Sequence, residues 1–474
     1  MYDYHNSPYT AIEETLSKVR FALYDSVLKK HPYLLEPQAW VAYVDGRADE
    51  LEEILDKYYA LLPKIIAKNP RSVITAMFIR CVDYRESFVK TMKMLNKIPF
   101  KERFKATSPS LPHNMPFFHR SGRDFSEIVF ALEDNIALVK KSFGAVIGVD
   151  FDVIMESLFA GLLYEKGSLK EAHAHALAAC ANITDGCSAE IQFCAMMILA
   201  NTLFADGQNE DANKILDNVE EMIEENKAYY LNANLRAYLF RLKFSEGDEK
   251  AARQWLKDYN GSPLGNLSFL KLYQCFTTAR AYIIMENYTG AILLLQKLLK
   301  LCERCRRPID IIEARILLAA AHFRKGRSEL AVALDYLEQA VLTASEYGYT
   351  QIFADESASI LQLLKKISVK TARIDYQGPL DPIYVNNVYI SAYAVRKQQK
   401  DTMTAAAKKS VKLSKQQKLI VQLLAQGYNR EGIAEKIGIS LNTTKYHIRL
   451  AYEKLDAASA AEAVMKARGM GLIE

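Results

Sequence analysis

The sequence predicts an all-α chain, a helical-repeat superhelix followed by a four-helix C-terminal domain. Three observations carry this. Up to about Lys366, apolar residues recur at spacings of three and four, with Pro and Gly set between the periodic runs. A short motif returns about every forty residues. From Arg396 to Glu474 there are 15 Lys and Arg against 7 Asp and Glu, a balance of +8 in a chain of net charge +5, which leaves −3 for residues 1–395. A basic end of this kind suits a polyanionic partner. At 474 residues a single core is not expected, so the chain should hold several domains or a long repeat array.

Composition narrows the class. With 50% hydrophobic and 25% charged residues, the chain reads as globular. No stretch approaches the ~18 apolar residues a membrane span needs, and no apolar leader opens the sequence. Seven cysteines, an odd number, predict a reduced, cytoplasmic protein that does not meet a membrane. Cys302 and Cys305 have CxxC spacing, but no second pair or nearby His completes a tetrahedral site. They read as two residues one turn apart on a helix ending in Arg306-Arg307. No metal or cofactor is expected. No Ser/His/Asp, Cys/His or paired-carboxylate arrangement stands out, so no enzyme activity is expected.

Residues 1–135 read as an irregular helical-repeat region. YVDGRADEL (43–51) places Gly46 five residues before Leu51, and Asp49 to Leu62 is strongly helical. The segment 108–127 follows, a loop with three aromatics and with His113 and His119. It reads as a packed, hydrogen-bonded loop, since no carboxylate or Cys stands at ligand spacing.

Residues 136–366 carry the repeat. EKGSLKEA (165–172), ADGQNEDA (205–212), SEGDEKAA (245–252) and RKGRSELA (324–331) each set Gly five residues before Ala. MENYTGAI (285–292) fills the gap with Glu286 in the glycine's place. The alanines Ala172, Ala212, Ala252, Ala291 and Ala331 step by 40, 40, 39 and 40. Gly would end one helix in a left-handed cap, and Ala would sit where its antiparallel partner passes too close for a larger side chain. All five should therefore be buried at equivalent crossings. Such hairpins bury their apolar faces only by stacking on their neighbours, here into a right-handed superhelix. The motif resembles the tetratricopeptide repeat. Its concave face is the expected seat of an unknown small-molecule or protein effector.

Residues 367–410, with Gly378-Pro379, Asp381-Pro382 and a Lys/Gln/Ala stretch, read as a partly helical linker. In 411–474, Ser414 can cap a helix that buries Leu419, Ile420, Leu423 and Leu424 and ends at Gly427. Asn429 caps a second helix with Ile433, Ala434 and Ile437, and Gly438 turns the chain. Ser440 caps a third helix, with Thr444, Ile448, Ala451 and Leu455 on one face. Opposite them stand Asn442, Lys445, Tyr446, Arg449 and Glu453. An apolar back with a front of amide, lysine, ring and arginine suits insertion into a major groove of double-stranded DNA. Asn442 and Thr443, at the positive helix end, can hold a phosphate.

These residues resemble the LuxR-type helix-turn-helix. The matches are Leu413-Ser414, Leu423 to Gly427, Ile433-Ala434, Ile437, Ile439-Ser440, Thr443 to Lys445, His447-Ile448 and Tyr452 to Leu455. Ala463-Val464, Ala467 and Gly471 to Ile473 complete a fourth helix. The resemblance implies that Lys445, Tyr446 and Arg449 reach base edges and that the fourth helix joins a homodimer on DNA. The expected DNA-binding set is Asn429, Asn442, Thr443, Lys445, Tyr446, Arg449 and Lys454. Four positions depart from the family pattern: Gln417 and Leu419 stand where it has glutamates, Asp456 where it has a glycine, and Ala460 where it has an arginine.

A helical-repeat array ahead of a LuxR-type module is similar to the MalT-like regulators. The large members of that group add an ATP-binding domain. No GxxxxGK followed by Ser or Thr occurs here, so ATP-driven switching is not carried over. The reading is a sequence-specific DNA-binding transcription regulator whose array senses an effector or partner. The alternative is an interaction scaffold with a weak or non-functional DNA module.

Overall fold

One turn, repeated, builds the array. In a computed structural model, Gly167, Gly207 and Gly247 have φ of 80°, 78° and 78°, the left-handed region open to glycine at no steric cost. After each, the same hydrogen bonds recur. Ser168 N–H donates to Leu163 O (3.0 Å) and Ala172 N–H to Ser168 O (2.9 Å). Gln208 and Ala212 make the equivalent bonds at 2.9 and 3.0 Å, and Asp248 and Ala252 at 3.2 and 3.1 Å. Glu286 adopts φ 59° in the glycine's place, and Asn287 and Ala291 close the same turn at 2.9 and 3.0 Å. Ala172, Ala212, Ala252 and Ala291 are wholly buried.

The structure describes residues 31, 34–44, 46–68, 83–85, 87, 114–130, 150–245, 247–259, 267, 269–406, 413–469 and 471–473. Among them there are nineteen α-helices and no strand. Two compact units divide the chain, one over residues 8–396 and the other containing 397–474.

In the first unit, α1 (Leu35–Val44) and α2 (Ala48–Lys68) form a hairpin around Gly46 (φ 66°). Its turn is that of the repeats: Arg47 N–H donates to Ala42 O (2.8 Å) and Leu51 N–H to Arg47 O (2.9 Å). The array proper consists of α3 (Asp150–Glu165), α4 (Leu169–Ala181), α5 (Ala189–Ala205), α6 (Asn209–Glu225), α7 (Asn232–Ser245), α8 (Glu249–Asp258), α9 (Leu272–Ile284), α10 (Tyr288–Arg304), α11 (Pro308–Lys325) and α12 (Leu330–Tyr347). Helices α13 (Gln351–Asp355), α14 (Ser357–Thr371) and α15 (Pro382–Ala406) follow.

The fifth repeat departs from the expected register. Ala331 is exposed, and Ala333 is the buried residue. Gly326 takes φ 154° and ψ 170° in place of the left-handed cap, and a 3-10 turn, Arg327–Glu329, precedes α12. This longer turn moves the helix crossing two residues along the chain. Within 367–410, residues 382–406 form one continuous helix of 25 residues.

The second unit holds α16 (Lys415–Ala425), α17 (Arg430–Ile437), α18 (Leu441–Leu455) and α19 (Ala460–Gly469). Among the described residues no helix is long and apolar enough to cross a membrane.

Candidate nucleic-acid interface

Every helix start of the C-terminal module from α16 to α18 is capped by the side chain before it. Ser414 and Gln417 form a reciprocal capping box: Gln417 N–H donates to Ser414 Oγ (3.2 Å), and Ser414 N–H to Gln417 Oε1 (3.1 Å). An amide oxygen accepts as a carboxylate would, so the departure at 417 leaves the cap intact. Asn429 Oδ1 accepts from Gly432 N–H (2.8 Å) and Ser440 Oγ from Thr443 N–H (3.1 Å). Gly438, at φ 75°, turns α17 into α18. Asp456 ends α18 at φ 51°, the conformation of the family's glycine. Leu419, expected in the core, is 41% exposed. Helix α16 buries the stripe Ile420, Val421 and Leu423 instead, with Leu419 turned off it.

Helix α18 packs against α16, α17 and α19. Ile448 joins Ile420, Leu423 and Ile433, while Ala451 and Leu455 join Val421, Ala463, Ala467 and Ile473. The expected apolar back is therefore buried. The front is narrower than expected, because α18 buries a second stripe: Thr443, Tyr446, His447 and Leu450 at i, i+3, i+4 and i+7. Tyr446, placed by periodicity on the open face, is buried, with its ring 5.4 Å from that of His447. Reasoning from one buried stripe puts position 446 opposite Ile448, and a second stripe claims it. Thr443 is buried too, its Oγ1 2.8 Å from Ser440 Oγ.

What stays open is an arc holding Asn442 and Lys445, both exposed, and Arg449, partly exposed. Arg449 Nε lies 3.8 Å from Glu453 Oε1, one turn on. Lys454 is half-buried, and Asn429 is exposed beside Arg430. Lys436 was not singled out from the sequence. Its Nζ lies 4.2 Å above the Tyr428 ring centre and donates to Tyr428 Oη (2.8 Å), on the exposed surface of the helix ahead of α18. The i, i+8 spacing of Tyr428 and Lys436 across a helix start could have shown this pair. The arrangement can supply amide and cationic donors to phosphates and base edges.

The first unit holds a different polar constellation. The chain's own residues 114–128 run along one face of helices α5, α7, α9 and α11. Cys194, Asn234 and Gln274 occupy one register position on α5, α7 and α9, 40 residues apart. Cys194 Sγ donates to Met115 O (3.2 Å), Asn234 Nδ2 to Asn114 O (2.7 Å), and Gln274 Nε2 to Asn234 Oδ1 (3.0 Å). The Phe117 ring lies edge-on to Tyr238 and Tyr273 at 6.1 and 6.2 Å. Arg120 reaches Asp310 and Glu313 on α11. Asp124 Oδ2 accepts from Ile309 N–H (2.8 Å), and Ser126 Oγ accepts from the Tyr349 hydroxyl (2.9 Å). His119 Nε2 lies 3.3 Å from Glu165 Oε1. His113 lies outside the described residues.

Burial disfavours charge here unless a partner restores it. It lowers His119 to about 3, with Arg120 acting in the same sense. It raises Glu165 to about 7 against the pull of Arg120. It raises Asp355 to about 7 as well, helped by Glu165. Burial also works against ionised Glu313, but Arg120, Arg241 and Arg280 outweigh it and hold that carboxyl well below the usual range. Cys302 and Cys305 are buried free thiols, both raised by burial. Among the described residues no group of three or more His, Cys, Asp or Glu is placed to hold a metal.

Two family descriptions match. Residues 151–370 match "MalT-like TPR region", and residues 411–467 match "Bacterial regulatory proteins, luxR family". The chain is also similar to the HTH-type transcriptional regulator MalT of Vibrio parahaemolyticus serotype O3:K6 (strain RIMD 2210633). They are 23% identical over 284 residues, which is 58% of this chain and 31% of that protein. The chain thus matches less than a third of that relative's length. It joins a stretch similar to the MalT-like TPR region to a C-terminal module similar to the luxR family of bacterial regulatory proteins.

Proposed function

We propose that the chain is a sequence-specific, non-enzymatic DNA-binding regulator of transcription, working in the cytoplasm, whose array senses an effector or a partner protein. The observation that supports it is the open arc of Asn442, Lys445 and Arg449 on α18 of a fully capped helix-turn-helix. In this reading Asn429, Asn442 and Lys454 serve the phosphates, with Lys436 beside them, while Lys445 and Arg449 meet base edges. Thr443, buried beneath the helix start, contributes through its backbone and its bond to Ser440. Tyr446 acts only where α18 exposes its ring.

The test is selection of bound sequences from random DNA, followed by titration of the winner over a range of salt. The expected result is an enriched site, bound with an affinity that falls steeply as salt rises. No enrichment, with salt-dependent binding to all sequences alike, would favour the scaffold reading. The burial of Tyr446 is the one observation on that side.

A further inference from the structure

The last helix of the repeat unit, α15, is apolar on both sides. Val385, Val388 and Ala392 are buried against the array. Diametrically opposite, Ile383, Ile390 and Tyr393 are 72%, 55% and 54% exposed. They follow one seam, Ile383, Asn386, Ile390, Tyr393 and Lys397, at alternating steps of three and four. That is the spacing of a helix-pairing stripe. From Pro382 to Val395 there is no charged residue, in a chain a quarter of whose residues are charged. A helix apolar all round belongs in an interior.

We propose that this seam is a homodimer interface, where α15 of one chain pairs side by side with α15 of a second copy about a two-fold axis. Three features select a second copy as the occupant. In a stack of hairpins each outward face is covered by the next hairpin, but here the chain leaves for the C-terminal module, so no further hairpin of its own follows. A neutral face offers a charged partner nothing to steer by, yet it is complementary to itself, as an isologous contact requires. Asn386 both donates and accepts, so across a two-fold it can bond its own counterpart and fix the register.

Tether length adds a fourth argument, which rests on the DNA-binding reading. Helix α15 runs to Ala406, and the module's first helix starts at Lys415 after the Leu413-Ser414 cap. The six residues between Ala406 and Leu413 reach at most ~20 Å. A two-fold pairing of α15 would bring two modules into one assembly, as a two-half-site DNA target requires.

The experiment is analytical ultracentrifugation of the full chain, without DNA, over micromolar concentrations. The chain should sediment at twice its 53.7 kDa monomer mass. Ile390→Asp, and independently Ile383→Lys, should weaken the dimer by more than about tenfold and return a monomer, with the melting profile of the isolated subunit unchanged because both positions face solvent there. Met465→Asp, on the exposed side of α19, should leave the dimer intact. A monomer at every concentration would overturn the proposal. So would a dimer indifferent to both α15 variants, one abolished by Met465→Asp, or growth beyond dimer. A dimer that binds no DNA would sink the functional reading and leave this interface standing.

Discussion

The His119 ring occupies the space a side chain on Gly161 would need: a Cβ built there would lie 1.8 Å from His119 Nδ1. The array's first helix therefore carries glycine mid-helix, at a cost of about 1 kcal/mol relative to Ala, to admit the 114–128 segment. Gly161→Ala should destabilise the first unit by about 1–3 kcal/mol in denaturant melts, despite the better helix former. His119→Ala in the same chain should recover part of that loss, because the two positions share one contact. Additive losses would mean that the ring does not sit there.

Glu165 and Asp355 make the unit's stability depend on pH. Both carboxyls are raised to about 7, chiefly by burial, from ordinary values of 4.5 and 3.8. The folded state thus favours their protonated forms. That contribution is fully present below the ordinary values and is lost as pH rises through about 7. Glu165→Gln keeps a partner for His119 Nε2 and removes one titration. It should leave stability at pH 4 nearly unchanged and raise it at pH 8 by on the order of 2 kcal/mol. Parallel pH profiles for variant and parent would refute the assignment.

The two-residue shift at the fifth hairpin can be tested with a pair of leucines. Ala331→Leu faces solvent and should change stability by less than about 0.5 kcal/mol. Ala333→Leu and Ala212→Leu enter fully buried crossings and should each cost about 1–3 kcal/mol by calorimetry.

On the module, Arg449→Ala should barely move the melting temperature, since the residue is partly exposed and its ion pair with Glu453 is long. It should weaken binding to the selected site by about 1–3 kcal/mol and spare random DNA. Ile448→Ala empties a buried position beside Ile420 and Ile433, so it should lower module stability by roughly 2–5 kcal/mol and lose all binding together. Equal losses of Arg449→Ala on both DNAs, read by mobility shift, would remove base reading from its role.

Asp456 holds the left-handed turn after α18 at φ 51°. Asp456→Gly should stabilise the module by about 0.5–1 kcal/mol, since glycine adopts this conformation without strain. The backbone carbonyl that Lys466 contacts remains in the variant. An unchanged or lower melting temperature would show that the Lys466–Asp456 side-chain pairing outweighs the strain.

What could be read in the sequence was whatever is local. Gly167, Gly207 and Gly247 announce their turns because few other residues take that backbone cheaply, and the alanines five residues on mark crossings set by the same turn. Ser414, Asn429 and Ser440 are legible for the same reason. Ala331 misled because a 3-10 turn changes the step without changing the motif. The Gly378 to Pro382 punctuation marks a break, and the β-branched, Tyr and Asn residues after Pro382 are only modest helix formers. The helix there is held by burial of Val385, Val388 and Ala392, which propensity does not show. The partners of residues 114–128 were out of reach: Arg120 meets Asp310 and Glu313 some 190 positions away, and no spacing rule connects them. Tyr446 shows the limit of periodicity, which says where a side chain points and not what covers it.

The contact between the two ends of the array bears on how it folds. Thr350 N–H donates to Glu165 O (2.8 Å), and the Tyr164 hydroxyl donates to Asp355, 191 residues ahead. In an open solenoid each unit meets only its neighbours, so structure can start anywhere, spread stepwise and fray from either end. Joining the first helix of the array to the turn after the last hairpin removes both fraying ends. It also imposes a closure over nearly two hundred residues, whose entropy is lost before the contact returns anything. Folding should then run slowly and as one cooperative event, and a nick or truncation at one end should loosen repeats at the other.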